Sequence, residues 1–263
     1  MPRQEIFTLL SGLRVELKAM QVKDENKLAS LKGKRKVARA FDTLLESCCM
    51  GVLDPGPYPD IDAGKPLNWQ NVLQGDRFKA MIFLRSISAS DGSRYEFNAR
   101  CACGKRVDWE IDILKDLYEQ RLPEESKVKL SSKEPFEVTV AGKKVHFHLS
   151  FGRDQHRLEK LMEQHPDQPS SCALETRIID VEGIDRTKVL AWLDELTSGE
   201  AEELRAAFDA VDCGVDTDVE VECSDPSCQN TFVVTLPFEE FFMKRPSTRR
   251  RKQRESRTSA SAP

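Results

Sequence analysis

Cys101 and Cys103 sit in the stretch RYEFNARCACGKRVDWEIDI, and Cys223 and Cys228 sit far downstream in TDVEVECSDPSCQNTFVVTLPF. Thiolates are soft ligands, and four of them close a tetrahedral zinc site with no open position for a substrate. These residues therefore point to structural metal binding, one zinc per chain, and not to catalysis. The C-x-C-G turn is one residue tighter than the commonest metal knuckle, and the loop from Cys223 to Cys228 is looser. Both lengths still allow Zn–S bonds of about 2.3 Å. Two pairs of reduced thiols on adjacent turns, or a pair of disulfides, are the competing readings of the same residues.

The flanking residues indicate how such a site would be held. Tyr95 and Phe97 answer Val107, Trp109, Ile111 and Ile113 across the first cysteine turn. Val219 and Val221 answer Phe232, Val234 and Leu236 across the second. Apolar and polar residues alternate on both sides of each turn, the pattern of a hairpin with one buried face. Two hairpins with cysteines at their tips predict a zinc ribbon split between residues 93–114 and 214–243.

Composition bounds the rest. The 263 residues, 39% hydrophobic and 32% charged, suffice for a sizeable core under a charged surface. No apolar run approaches the ~20 residues of a membrane span. The opening MPRQEIFTLL lacks the long apolar stretch of a secretory signal. Eight cysteines without such a signal predict a reducing compartment, where thiols bind metal or pack in cores. The net charge of −4 gives no global attraction to nucleic acid. From Lys244 onward the character changes: KRPSTRRRKQRESRTSASAP is basic, serine-rich and without apolar periodicity. That composition predicts a disordered tail over 244–263, the one place where nucleic acid or an acidic surface would bind.

Residues 1–92 read as a lead-in hairpin followed by helical blocks. Leu13, Val15 and Leu17 alternate with Arg14, Glu16 and Lys18 after a turn at Ser11–Gly12. Asp24 is the predicted N-cap of a helical region reaching about residue 50, with Val37, Phe41, Leu44, Leu45 and Cys48 as its apolar stripe. Adjacent Cys48 and Cys49 point apart on a helix and read as small buried hydrophobes. The basic run LKGKRKVAR reads as a solvated face. A loop, DPGPYPDIDAGKP, precedes a second block from Trp69 to Ile87 with a break expected at Gly75–Asp76.

Between the cysteine hairpins, residues 115–213 read as an insert. Phe136, Val138 and Val140 face Val145, Phe147 and Leu149 across a turn at Ala141–Gly142. A helix over 154–164 and a polar linker, HPDQPSS, follow. Asp185 can cap a helix through Val189, Trp192, Leu193 and Leu196. Ser198 can cap another through Leu204, Ala207, Phe208 and Val211, stopped by Gly214. His146 and His148 share one strand face and read as exposed positions, while Cys172 and Cys213 read as packed residues. Phe238, Phe241 and Phe242 end the folded part, either plugging the local core or anchoring a partner. The chain contains no G-x-S-x-G, no Gly-rich phosphate loop and no H-E-x-x-H, so no enzyme is expected. A thiol redox protein is the least favoured class, because no C-x-x-C opens a helix.

The fold expected is α+β: a split zinc-ribbon-like pair of β-hairpins, flanking helical blocks, and an inserted hairpin and helical segment. Two stretches, LRSISASDGSRYEFNARCACGKRVDWEIDI and DCGVDTDVEVECSDPSCQNTFVVTLPFEEFF, resemble the T-even-type baseplate protein family of tailed phages. The first carries Arg85 and Ser88 in an Arg-x-x-Ser segment, the turn glycine Gly92 and the Cys103–Gly104 knuckle. The second carries Cys213–Gly214, the acidic strand, the cysteine pair and the ending from Pro237–Phe238 to Phe241–Phe242. The opening SGLRVELKAMQVKDENKL is also similar to that family's. The Arg-rich tail is no part of the pattern.

The resemblance implies a non-enzymatic structural or assembly protein of a contractile-tail baseplate. It would belong to the central hub, contacting hub and tail-tube proteins, in a virion tail assembled in the host cytoplasm. The alternative is a zinc-ribbon nucleic-acid-binding protein using its Arg-rich C-terminal tail. Against it, Glu96, Asp108, Glu110, Asp112, Asp218, Glu220 and Glu222 would repel a phosphate backbone.

Overall fold

The structure, a computed structural model, describes residues 3–31 and 37–236. It is a mixed α+β fold built from small antiparallel sheets. The chain opens with β1 (Gln4–Thr8) and β2 (Arg14–Lys18), paired so that Phe7 faces Val15. Helices α1 (Val22–Leu31) and α2 (Val37–Cys48) follow, and β3 (Cys49–Asp54) then returns to β2 to complete a three-stranded sheet. Cys49 thus begins a strand and does not end a helix; within that strand Val52 is buried, so no alternation announces it. Asp24 is not the N-cap. It sits in the first turn of α1, where its carboxylate accepts the Gln21 N–H at 3.0 Å.

Asn68 caps a single 3-10 turn at Trp69–Asn71, and α3 (Gln74–Ser88) starts after Val72 and Leu73. The break falls there, because the backbone at Leu73–Gln74 bonds across to Phe151 and Ser150; Gly75 and Asp76 lie inside the helix. The first cysteine hairpin is β4 (Arg94–Arg100) and β5 (Arg106–Asp112), in register Tyr95–Ile111, Phe97–Trp109 and Ala99–Val107.

The insert runs through β6 (Glu119–Gln120), α4 (Glu124–Ser132), β7 (Phe136–Val140), β8 (Lys143–Phe147), α5 (Gly152–Gln164), α6 (Pro169–Glu175) and β9 (Ile178–Val181). Part of the expected linker is helical, because Pro169 fits the first turn of α6 and Cys172 is buried beneath it. Strand β9 adds to β8, so the inserted hairpin is a three-stranded sheet. Asp185 does cap, accepting the Thr187 N–H at 2.9 Å, ahead of α7 (Val189–Asp194). The cap of α8 (Ser198–Val211) is Thr197, not Ser198: its hydroxyl and the Glu200 carboxylate form a reciprocal capping box. Gly214 lies in β10 (Gly214–Val215), which pairs with β6. The second cysteine hairpin, β11 (Asp218–Glu222) and β12 (Thr231–Thr235), ends the described chain.

Helix α3 holds these pieces together, since it is buried on nearly every side from Gly75 to Ile87. Met81, Phe83 and Leu84 enter the larger core with Leu13, Val15, Leu44, Trp69 and Phe147. Ile82 enters a second core with Tyr95, Phe97, Val107, Ile111, Val221 and Leu236. Each fully buried apolar side chain of this size contributes about 1.5–3 kcal/mol.

A helix buried all round is normally apolar, yet α3 carries four buried charges, each tied to a different element. Asp76 accepts the Ser11 N–H at 3.0 Å and the Tyr58 hydroxyl at 2.6 Å. Arg77 pairs with Asp42 at 2.5 Å, and Lys79 pairs with Glu119. Arg85 donates to the Gly92 carbonyl at 2.9 Å and pairs with Asp91 at 3.2 Å. Ser88 hydroxyl donates to the Leu84 carbonyl at 2.6 Å and accepts the Met20 N–H at 2.8 Å. The Arg85-x-x-Ser88 segment and Gly92 therefore anchor the exit of α3, from which the chain turns into β4.

Candidate metal centre

The two hairpins meet tip to tip. Backbone bonds shape the first tip: Cys101 N–H donates to the Lys105 carbonyl and Gly104 N–H to the Cys101 carbonyl, both at 2.9 Å. Gly104 has φ of +86°, a left-handed value that costs glycine little. The second tip is larger. Cys223 N–H donates to the Asn230 carbonyl at 2.9 Å, and Cys228 N–H to the Asp225 carbonyl at 3.0 Å. Asp225 carboxylate accepts the Ser227 N–H at 3.0 Å and closes the turn.

These turns bring all four predicted thiols together. The ligand atoms of Cys101, Cys103, Cys223 and Cys228 lie within 4.8 Å of one another and could hold a metal ion. Cys101 Sγ is 3.7 Å from Cys228 Sγ, and Cys103 Sγ is 3.7 Å from Cys223 Sγ. A disulfide bond is about 2.05 Å long, and all four thiols are free. The disulfide reading of these residues does not describe this structure.

Donors converge on the sulfurs. Backbone N–H groups of Cys103, Asp225 and Asn230 point at Cys101, Cys223 and Cys228 respectively. The side-chain amide of Asn230 reaches across the hairpins to Cys101 Sγ at 3.7 Å. Lys105 crosses the same gap to Asp225 at 2.9 Å and sets a positive charge beside the cluster. Hydrogen bonds to a thiolate favour the ionised form. The Cys103 N–H, then the Asn230 amide and neighbouring thiols, lower the Cys101 thiol to about 6. At Cys228 the Asn230 N–H pulls downward, but the Cys103 and Cys101 sulfurs and burial prevail and push it up to about 12. One thiolate thus forms readily, and without a cation it helps to keep protons on Cys223 and Cys228.

Sequence reasoning found the four cysteines but missed Asn230, Lys105 and the backbone donors. Lys105 and Asn230 follow a cysteine by two positions, whereas the backbone groups carry no residue signature. The remaining cysteines lie elsewhere: Cys213 packs in the larger core against Gly75, and Cys48 and Cys172 are buried. His146 is not simply exposed, because Asp180 lies 2.9 Å from Nδ1 and Glu137 lies 3.2 Å from Nε2. His148 is partly buried and contacts the Leu149 carbonyl. Residues 32–36 within the basic run, the aromatics Phe238, Phe241 and Phe242, and the tail over 244–263 lie outside the described residues. Among the described residues, no helix is long and apolar enough to cross a membrane.

A family model described as T4 bacteriophage base plate protein matches residues 1–243. No curated protein and no solved structure matches the chain. The match takes in both cysteine hairpins, the whole insert between them and the buried α3. The chain belongs to the T4-type bacteriophage baseplate protein family.

Proposed function

We propose that this chain is a non-enzymatic structural or assembly protein of the central hub of a contractile-tail baseplate. One zinc ion held by Cys101, Cys103, Cys223 and Cys228 would pin its two hairpins into a split ribbon. The observation that carries the metal is the convergence of four sulfurs from positions 120 and 127 residues apart, with N–H donors directed at them. Zn–S bonds of about 2.3 Å at tetrahedral angles separate sulfurs by about 3.8 Å, close to the 3.7 Å found here. Zinc is redox-inert and would neutralise thiolates that otherwise repel each other. With four protein ligands no position is left for a substrate, which supports a scaffold and not a catalyst.

In this reading the ribbon comprises 93–114 and 214–243, joining a lead-in and helical region over 1–92 to the insert over 115–213. Zinc would hold the ends of that insert together. Phe238, Phe241 and Phe242 would anchor hub and tail-tube proteins, since aromatic side chains deliver large contact areas at interfaces. The protein would act in the virion tail baseplate, assembled in the host cytoplasm.

Metal content per chain, with thiol titration before and after chelation, tests the pin. The expected result is one zinc, with Cys101, Cys103, Cys223 and Cys228 protected until chelator is added, while the buried Cys48, Cys172 and Cys213 stay protected throughout. No metal, with the hairpin thiols equally reactive before and after chelation, would remove zinc from the proposal. Particle assembly tests the role: Cys103→Ser is expected to leave baseplates incomplete, and normal particles would refute it.

A further inference from the structure

The outer faces of the two cysteine hairpins differ in how their charges are compensated. On the first, Glu110 lies 4.0 Å from Arg94, Asp108 lies 4.0 Å from Arg106, and Asp112 lies 3.4 Å from Lys115. On the second, Asp216, Asp218, Glu220 and Glu222 project from one side of β11 and its approach, and all four are exposed. Among the described residues none of these four stands in an ion pair. Asp216 accepts the Asp218 N–H, and Asp218 accepts the Thr235 hydroxyl. Across the ladder the outward positions of β12 are Thr231, Val233 and Thr235, which bring no cation. Carboxylates two positions apart on a strand are about 7 Å apart, inside the ~10 Å screening length of moderate salt. The row repels itself, and among the described residues no cation covers the sheet face that bears it.

The chain itself carries the complementary charge. Between Lys244 and Arg257 stand Lys244, Arg245, Arg249, Arg250, Arg251, Lys252, Arg254 and Arg257, against one acid, Glu255. Residues 244–263 thus carry +7; with −4 for the whole chain, residues 1–243 carry −11. The last described residue, Leu236, donates its N–H to the Thr217 carbonyl at 3.0 Å, so the chain leaves the hairpin beside Asp216 and Asp218. Lys244 follows Leu236 by eight positions, a leash of at most about 26 Å, longer than the ~17 Å of a five-residue strand.

We infer that the basic segment 244–257 docks in cis on the acidic outer face formed by Asp216, Asp218, Glu220 and Glu222. Tethering gives an effective concentration in the millimolar range, enough for a purely electrostatic contact to fill. The inference goes beyond the baseplate reading and does not depend on the metal. It also makes that face the natural competitor of any nucleic acid for the tail.

Zero-length carbodiimide coupling of the full chain tests it, on an equal mixture of 15N-labelled and unlabelled protein at low salt. The expected product joins Lys244 or Lys252 to the peptide holding Asp216–Glu222, within one isotopic type. Its yield should fall at least several-fold in about 1 M salt, where the screening length is about 3 Å. It should fall likewise in Arg249→Gln/Arg250→Gln/Arg251→Gln, which removes tail charge but keeps both coupling lysines and all four carboxylates. No product at this face, a yield insensitive to salt, or products joining labelled to unlabelled chains would each overturn docking in cis. The last outcome would assign the face to the tail of a second copy.

Discussion

Gly75, in the first turn of α3, and Cys213, just before β10, meet backbone to backbone: a Cβ on Gly75 would lie 2.1 Å from the Cys213 carbonyl oxygen. The helix that delivers the chain to the first hairpin is thereby seated on the segment that delivers it to the second. Glycine is required for close approach here and not for an unusual dihedral.

Gly75→Ala should therefore destabilise the protein by about 3 kcal/mol or more, because the clash is with backbone and no rotamer relieves it. Chemical denaturation of the variant measures this directly. A loss below about 1 kcal/mol would mean that the two segments separate at little cost.

Asp42 supports a second buried junction. Its carboxylate takes Arg77 at 2.5 Å and His156 Nε2 at 2.5 Å, joining α2, α3 and α5. Burial pulls the Arg77 guanidinium down from its usual range, and Asp42 pulls it back. Asp42→Ala would strand a guanidinium that is 1% exposed, at a cost of about 3–5 kcal/mol. The double variant Asp42→Ala/Arg77→Met removes the stranded charge and should recover part of that loss. A double variant no more stable than Asp42→Ala alone would show that packing, not charge, dominates.

Chelation should separate the two cores. If metal pins the hairpins, chelator lowers the unfolding temperature of the native protein, since a ligand bound by the folded form alone stabilises it. Cys103→Ser should start from the lower value and hardly respond. Hydrogen exchange should locate the loss in β4, β5, β11 and β12, with α3 and the larger core protected. An equal response of both proteins to chelator would place the metal elsewhere.

The cysteine hairpins and the inserted hairpin were legible because each alternates apolar and polar residues around a turn, as at Tyr95, Phe97, Val107 and Ile111. Strands β3 and β9 were not. They are short, Val52 is the buried residue of the first, and the second buries Ile178 and Val181 with exposed residues between. Each is recruited by a neighbouring strand and not announced by its own pattern. Gly75–Asp76 looked like a break because composition cannot distinguish a helix-ending glycine from one needed for close approach. The burial of the α3 charges has no sequence signal for a related reason: Tyr58, Asp42 and Glu119, which partner Asp76, Arg77 and Lys79, lie 18, 35 and 40 positions from them. At the metal centre the ligands were legible by type, whereas the backbone donors around them exist only once both turns have closed.

His146 supplies a pH dependence whose sign follows from its neighbours. In the central strand β8 it stands opposite Glu137 on β7 and Asp180 on β9, with Lys144 also near Glu137 at 3.3 Å. Hydrogen bonding to Asp180, and less strongly to Glu137, raises its pKa above 6.5 in the fold. The folded state then holds the proton more tightly than the unfolded chain. The stabilisation is complete below the unfolded pKa of about 6.5 and is lost as pH rises through the folded value. His146→Gln lacks this term, so the stability difference between the two proteins should be largest near pH 6 and shrink toward pH 8. Urea midpoints across that range measure it. Parallel pH profiles would show that His146 keeps its ordinary pKa, with Glu137 paired by Lys144 and Asp180 compensated by solvent.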